Sequence, residues 1–259
     1  MADTKTYEWA LTGIFAAFHL VLTMIPLYLL GMGGGFISWG LISAPIVGFL
    51  LGPFYGLISV AIGSILGTMF FNIGGVLGPI IPVFAPMTSA LVTGSIRFRR
   101  FRAIPIVFFL GLVVYIAGPI GLVTIPYLWL HLIAALLSLS MLTSMTTRHF
   151  DRLLDPSENE PTPTSSVFAW LTGFLALMAD HLVGATMSQY YFFYVLGFDA
   201  NTLTTSYLAT IFLYPIERVL ASIITGFVLV LLAVATSHGD IPLPEIPEKK
   251  AGLNEGSYT

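Results

Sequence analysis

No charged residue interrupts the stretch Gly48-Phe-Leu-Leu-Gly-Pro-Phe-Tyr-Gly-Leu-Ile-Ser-Val-Ala-Ile-Gly-Ser-Ile-Leu-Gly67. The dipeptide Gly52-Pro53 divides it, because glycine and proline both favour turns over helix interiors. Small residues then recur at steps of three or four positions, namely Gly52, Gly56, Ser59, Gly63 and Gly67. This spacing predicts a helix with one small-residue face, preceded by a tight turn and another apolar helix.

The whole chain shares this apolar character. Of its 259 residues, 56% are hydrophobic and 9% are charged, and the mean hydropathy is +0.91. Soluble domains carry about 25% charged residues. The composition therefore excludes an ordinary soluble enzyme and a disordered chain, and the balance of 10 basic against 13 acidic residues excludes a nucleic-acid binder. We predict an all-α integral membrane protein within the lipid bilayer.

A membrane-spanning helix needs about 20 apolar residues. Eight apolar runs approach that length, at residues 9–30, 36–51, 54–71, 76–96, 104–123, 127–145, 167–188 and 207–235. They predict a polytopic bundle of about eight transmembrane helices in one domain, residues 1–235, although the second and third runs are also compatible with a re-entrant pair. Residues 147–166 are expected to form a polar linker, and residues 236–259 a disordered tail rich in Pro and Glu.

The basic residues predict the orientation of this bundle. In an eight-helix arrangement one side receives Lys5, the cluster at 97–102, Arg148, Arg152, Lys249 and Lys250, and the loops on the other side contain no Lys or Arg. Positive charge concentrates in cytoplasmic loops. Both termini and the linker 147–166 are therefore predicted to be cytoplasmic, in a multi-pass protein of the cell membrane.

Few ionisable residues fall within the apolar runs, and such residues usually face a bundle interior or a cavity. Asp180 and His181 lie in the seventh run, Glu217 and Arg218 in the eighth. Counting 1.5 Å per residue puts all four at a similar depth, so Asp180–Arg218 or His181–Glu217 pairs are natural. They constitute either a structural ion pair or a pocket for a small molecule. His19 and His131 are expected to be hydrogen-bonded packing residues.

Aromatic and polar residues between the last two runs favour the pocket. We assign Tyr190, Tyr191, Tyr194 and Asn201 to a loop over its outer mouth, with Trp39 and Asn72 toward the same face. The aromatic residues are equally typical of an interfacial belt. Stacking on a planar ligand is the functional alternative.

The first helix carries its own small-residue pattern, Gly13 and Ala17. Together with Gly52, Gly56, Gly63 and Gly67, these residues favour either packing within the chain or docking of a separate membrane subunit.

The junction around Gly52-Pro53, the Gly13/Ala17 pattern and the proline-bearing fourth run resemble the substrate-binding S components of energy-coupling factor vitamin transporters. A last helix entered through Tyr214-Pro-Ile-Glu-Arg218 is similar as well. The resemblance implies a six-helix core, here with an extra pair at 104–145. It also implies that the chain binds a vitamin-like solute and delivers it through a scaffold subunit driven by ABC-type ATPases. The metal-uptake branch has a histidine after the initiator methionine; position 2 is Ala2, which disfavours cobalt or nickel.

Other classes have less sequence support. The chain contains no Walker A, H-E-x-x-H or G-x-S-x-G motif, no cysteine and no metal-type histidine spacing, so we expect no enzyme activity, cofactor or metal. Asp180-His181 followed by Gly184 resembles the histidine helix of rhomboid-type proteases, but the glycine-framed serine is missing. A non-transport membrane scaffold is the main alternative, and the sequence does not identify the substrate.

Overall fold

The computed structural model describes residues 4–27, 38–71, 77–143 and 163–237. In these ranges the chain forms eight α-helices and no strand, which confirms the all-α class and the expected helix number. The helices are α1 (Thr4–Thr23), α2 (Gly40–Phe71), α3 (Ile81–Arg97), α4 (Ala103–Ile116), α5 (Trp129–Ser140), α6 (Pro163–Tyr190), α7 (Ala200–Ala209) and α8 (Leu213–Ser237). A 3-10 turn, Ile125–Leu128, precedes α5, and a π-helical turn, Tyr191–Val195, follows α6.

Helix α2 folds back on itself at the predicted Gly52-Pro53 turn. Gly52 has φ 83° and ψ −180°, a conformation open essentially to glycine alone. It separates a first limb, residues 40–51, from a second limb, residues 53–71. A Cβ atom on Gly56 would lie 2.7 Å from the Cα atom of Gly48, so the two limbs touch backbone to backbone. The small residues predicted at this junction are what permit that approach.

Arg97 closes the open end of the first limb. The break at Gly52 leaves the last carbonyl groups of that limb without helical partners. The Nη1 atom of Arg97, at the end of α3, donates to the carbonyl oxygens of Phe49, at 2.8 Å, and Leu50. Its guanidinium also lies 5.6 Å from the ring centroid of Phe49. The side chain is therefore buried, and it ties α3 to the turn.

His19 links α1 to both limbs of α2. Its Nδ1 atom lies 2.7 Å from the Ser43 hydroxyl, and its Nε2 atom lies 3.0 Å from the Ser64 hydroxyl. The imidazole is fully buried. His19 is therefore hydrogen-bonded and packed between helices, as expected, and it also lines a cavity next to α3 and α6.

Helix α6 is the centre of the second half of the bundle. Its middle residues, including Leu175, Met178 and Leu182, have no exposed surface. They belong to one apolar cluster with residues of α4, α5, α7 and α8. Helix α3 packs on α6 from the other side and so joins this cluster to the α1–α2 unit.

Several predicted boundaries were wrong. The run at 104–123 is helical only to Ile116, because Gly118-Pro119 follows, and the helix in the run at 127–145 is α5, which ends at Ser140. The run at 207–235 is broken at residues 210–212, and α8 begins shortly before Pro215, where a missing N–H costs nothing. The linker 147–166 lies outside the described residues up to position 162, and α6 then begins at Pro163. The tail lies outside them from residue 238.

Three segments are long and apolar enough to cross a membrane, as judged by length and composition. They are Gly40–Phe71, Ser166–Val195 and Leu213–Ala235. Because α2 reverses at Gly52, its limbs would be the crossing units. The second limb approaches the roughly 20 residues that a crossing takes, and the first is shorter.

Replacing Gly52 with alanine should destabilise the protein. The conformation of Gly52 costs other residues about 1–3 kcal/mol, and the new Cβ would lie 2.5 Å from the Phe98 ring. Gly13→Ala is the matched control, because nothing lies within 4 Å of its Cβ position. Thermal unfolding of the purified protein should show a loss for Gly52→Ala only. Equal melting temperatures for both variants would contradict the turn geometry.

Candidate ligand-binding site

A cavity of about 390 Å³ lies at the end of the bundle opposite Arg97. Its walls come from the end of α1, the starts of α2 and α3, the second half of α6, and parts of α7 and α8. Apolar side chains such as Leu41, Ile81 and Phe192 form much of the lining. Asp180, His181 and Arg218 are among the polar groups that face it. Small-molecule sites typically combine an apolar wall with a few such groups.

Asp180 and Arg218 form the ion pair that their matching depth predicted. The Nη1 atom of Arg218 donates to Oδ2 of Asp180 at 3.2 Å, and the two side chains are only 12% and 10% exposed. The Nε atom of Arg218 is buried without a hydrogen-bond partner among the described residues. The guanidinium therefore uses one of its five N–H donors.

His181 does not pair with Glu217, its predicted alternative partner. Its Nδ1 atom lies 3.0 Å from Nε2 of His131, and its Nε2 atom lies 3.2 Å from the Tyr127 hydroxyl. The two imidazole rings are nearly parallel, with centroids 5.1 Å apart. Adjacent helical residues point about 100° apart, so Asp180 faces α8 and His181 faces α5. Glu217 is likewise rotated away from Arg218; it is half-buried and does not line the cavity.

Tyrosine rings surround the histidine pair. Tyr214 stacks on His181 with centroids 4.5 Å apart, and its hydroxyl donates to the Tyr127 carbonyl at 2.7 Å. Tyr207 lies 5.0 Å from Tyr127 between ring centroids and donates to the Ala185 carbonyl. Tyr127 and Tyr207 also line the cavity. These contacts hold α5, α7 and α8 against α6 around the cavity.

The sequence reasoning missed Tyr127 and Tyr207 on the cavity wall and Tyr214 beside the histidine pair. Within that pair His131 is buried and hydrogen-bonded, in agreement with the expectation of a packing residue. A signal was available for two of the tyrosines. Tyr127 and His131 are four positions apart, as are Tyr214 and Arg218. That spacing puts each pair on one helical face.

The aromatic loop predicted over the mouth of the cavity is largely helical, because no turn residue occurs before Gly197. Tyr190 donates through its hydroxyl to the Val114 carbonyl at 3.0 Å, which directs it to α4. Tyr191 packs on Gly78, and Tyr194 is 69% exposed. Of this segment, Phe192 lines the cavity instead.

Two further predicted residues, Asn201 and Trp39, are not part of the described cavity lining. Asn201 is exposed in the first turn of α7, and Trp39 is exposed beside the start of α2. Asn72 lies outside the described residues.

The small residues differ in burial: four are covered by the chain itself, and two are exposed. Gly52, Gly56 and Gly63 are covered by Phe98, Gly48 and Ala16 respectively, and Gly67 is buried as well. These four pack within the chain, because the hairpin and α1 use the same face. Gly13 and Ala17 are exposed.

Asp199 is the N-cap residue of α7, a helix that borders the cavity. Asp199 accepts hydrogen bonds from the backbone N–H groups of Asn201 and Thr202 and from the Thr202 hydroxyl. The Thr202 hydroxyl is the main cause that holds the pKa of Asp199 below its ordinary value. The cap satisfies backbone N–H groups at the start of the helix, which carries Ser206 and Tyr207 on the cavity wall; Thr210, on the same wall, follows its last residue.

No protein-family model, curated protein or solved structure matches this chain significantly. The function is therefore argued from the chain's own residues.

Removing one member of the ion pair should destabilise the protein more than removing both. Arg218→Met leaves the Asp180 carboxylate buried and unpaired, which typically costs about 3–5 kcal/mol. Asp180→Leu together with Arg218→Met leaves no uncompensated charge and should stay near the wild-type melting temperature. Thermal unfolding of the purified proteins measures both effects.

The control is Thr172→Val with Ser222→Ala, on the same two helices but outside the cavity lining. Both side chains are buried and donate only to their own helices. A double Asp180/Arg218 variant that is less stable than the single Arg218→Met variant would contradict the assignment of an isolated pair.

Proposed function

We propose that the chain is a membrane-embedded substrate-binding subunit that takes up a vitamin-like small molecule and is not itself an enzyme. The observation that carries the proposal is the ion pair Asp180–Arg218, which faces a cavity while most of its hydrogen-bonding capacity is unused. Two residues that served only to join α6 and α8 would be expected to satisfy each other more fully.

Insertion into a lipid bilayer is supported by the three long apolar segments and by the surface of the bundle. Large apolar side chains are exposed on most helices, for example Ile14, Phe109, Leu136 and Phe227. Water would penalise such a surface, whereas lipid does not. A central Arg or Asp is itself penalised by about 2.5–3.5 kcal/mol on insertion scales. Its retention beside a cavity fits a role in recognition.

Energy for uptake would come from partner proteins, a scaffold subunit with ABC-type ATPases, as the resemblance to S components implies. The sequence contains no Walker A motif of its own. Gly13 and Ala17 are candidates for the docking face, since their side of α1 is exposed. The four glycines of α2 are not candidates, because the chain itself covers them.

A non-transport scaffold is the competing function. In that case the Asp180–Arg218 pair would only join α6 to α8, and the protein would bind no ligand. A rhomboid-type hydrolase has less support, because His181 is bonded to Tyr127 and His131 rather than to a serine.

Mass spectrometry of the protein purified without added ligand tests the proposal. We expect a small molecule to copurify with the wild type and with the Thr172→Val/Ser222→Ala control. The Asp180→Leu/Arg218→Met variant should be folded and lack the molecule, because its recognition groups are gone. A folded double variant that retains the molecule would overturn the assignment of the site, and a wild type without any bound molecule would favour the scaffold.

Cysteine labelling tests whether the end of the bundle that carries Lys5 and residues 97–102 is cytoplasmic, since the chain has no native cysteine. Lys5 and residues 97–102 lie at the end of the bundle away from the cavity, and positive charge is retained inside. Arg100→Cys should resist a membrane-impermeant maleimide on intact cells. Thr205→Cys, exposed on α7 near the cavity, should be labelled. The reverse pattern would invert the proposed topology.

A further inference from the structure

The hydrogen bonds of the ion pair leave specific atoms unused. Asp180 engages Arg218 through Nη1 alone. The edge of the guanidinium formed by Nε and Nη2 carries two parallel N–H bonds and contacts no acceptor among the described residues. Nε itself has almost no accessible surface, so a ligand in the cavity reaches the guanidinium through the N–H groups of Nη2, which suit a carboxylate oxygen.

Asp180 likewise has acceptor positions that the described residues leave unused. An ionised carboxylate offers about four acceptor positions, and the described residues supply one donor, Nη1 of Arg218. Its other positions are available to a donor from the cavity, and a cationic donor would be favoured by the charge.

Net charge narrows the choice of ligand. The pair is neutral as it stands, and the other ionisable groups in the described lining are imidazoles and phenols. A ligand with only a carboxylate would leave one uncompensated negative charge in a site of low dielectric, and a ligand with only an amine would leave one positive charge. Uncompensated buried charges are strongly unfavourable. A ligand with both charges satisfies both partners and keeps the site neutral.

We infer that the cavity binds a zwitterionic solute of the α-amino-acid type. Its carboxylate accepts hydrogen bonds from Nη2 of Arg218, the terminal nitrogen that Asp180 leaves unused, and its ammonium group donates to the free positions of Asp180. The solute carries an apolar or aromatic side chain, because Leu41, Ile81, Phe192 and Tyr127 provide most of the remaining wall. A volume of about 390 Å³ fits a molecule of that size. This inference rests on the proposed binding function and defines its substrate class.

The test measures binding of the twenty standard L-amino acids to the purified wild-type protein, by thermal stabilisation and then by equilibrium dialysis. Each amino acid that binds is compared with the amine that lacks its carboxylate and the acid that lacks its amino group. A hydrogen bond to a charged group changes affinity by about tenfold or more. We expect the amino acid to bind more tightly than both analogues by at least that factor. An analogue that binds as tightly as its amino acid, or a panel without any binder, would overturn the inference.

Exchange of one charge tests which group contacts which residue. Asp180→Asn keeps an acceptor for Arg218 and removes the negative charge, so it should shift the preference from the amino acid to the deaminated acid. Arg218→Gln should shift it to the amine. The Thr172→Val/Ser222→Ala control should keep the wild-type order, and circular dichroism checks that each variant is folded. An unchanged order in both folded charge variants would refute the assignment.

The outcomes separate this inference from the proposed function. If a molecule copurifies with the wild type but carries one charge or none, the binding function stands and the zwitterion is refuted. If nothing copurifies and no amino acid binds, both are refuted.

Discussion

The close contact between the two limbs of α2 is the constraint on which the rest of the bundle depends. The reversal at Gly52 requires a backbone conformation reserved for glycine, and Gly48 and Gly56 must lack side chains for the limbs to meet. The reversal also leaves carbonyl groups that Arg97 satisfies from α3. His19 then binds one hydroxyl on each limb. These small and polar residues fix four segments together. The same segments also share an apolar cluster, which includes Val47, Leu51 and Val60.

That unit supplies one wall of the cavity, and α6 supplies the opposite one. Helix α6 is buried along its middle because α3, α4, α5 and α8 all pack on it. Because helices surround the middle of α6, a polar side chain on any face of that part lies against another helix. Asp180 meets the guanidinium of α8, and the neighbouring His181 meets the histidine and tyrosine of α5. Two polar networks of different character thus lie side by side at one depth.

Each network contains one buried nitrogen without a partner among the described residues, Nδ1 of His131 and Nε of Arg218, and the two differ in the number of contacts that their members make. Tyrosine hydroxyls around the histidines donate to backbone carbonyls or contact imidazole nitrogens, as with Tyr207, Tyr214 and Tyr127. Arg218 and Asp180 have one hydrogen bond between them. The histidine–tyrosine contacts account for the packing of α5, α7 and α8, and the Asp180–Arg218 pair, which lines the cavity, is the part of the site with capacity for a ligand.

The sequence by itself determined the helical class and the turn at Gly52-Pro53, because each follows from local chemistry. Counting residues along two helices predicted Asp180–Arg218 as one of two natural pairs, and the tertiary structure decided between them. Tertiary structure alone decided the rest. The direction of His181, the role of His131 and the cover over the α2 glycines depend on which helices become neighbours, and periodicity along one helix does not contain that information. The residues expected over the cavity mouth were misplaced for the same reason: Tyr190 and Tyr191 turned toward α4 and Gly78, whose positions are set by packing and not by the sequence around these tyrosines.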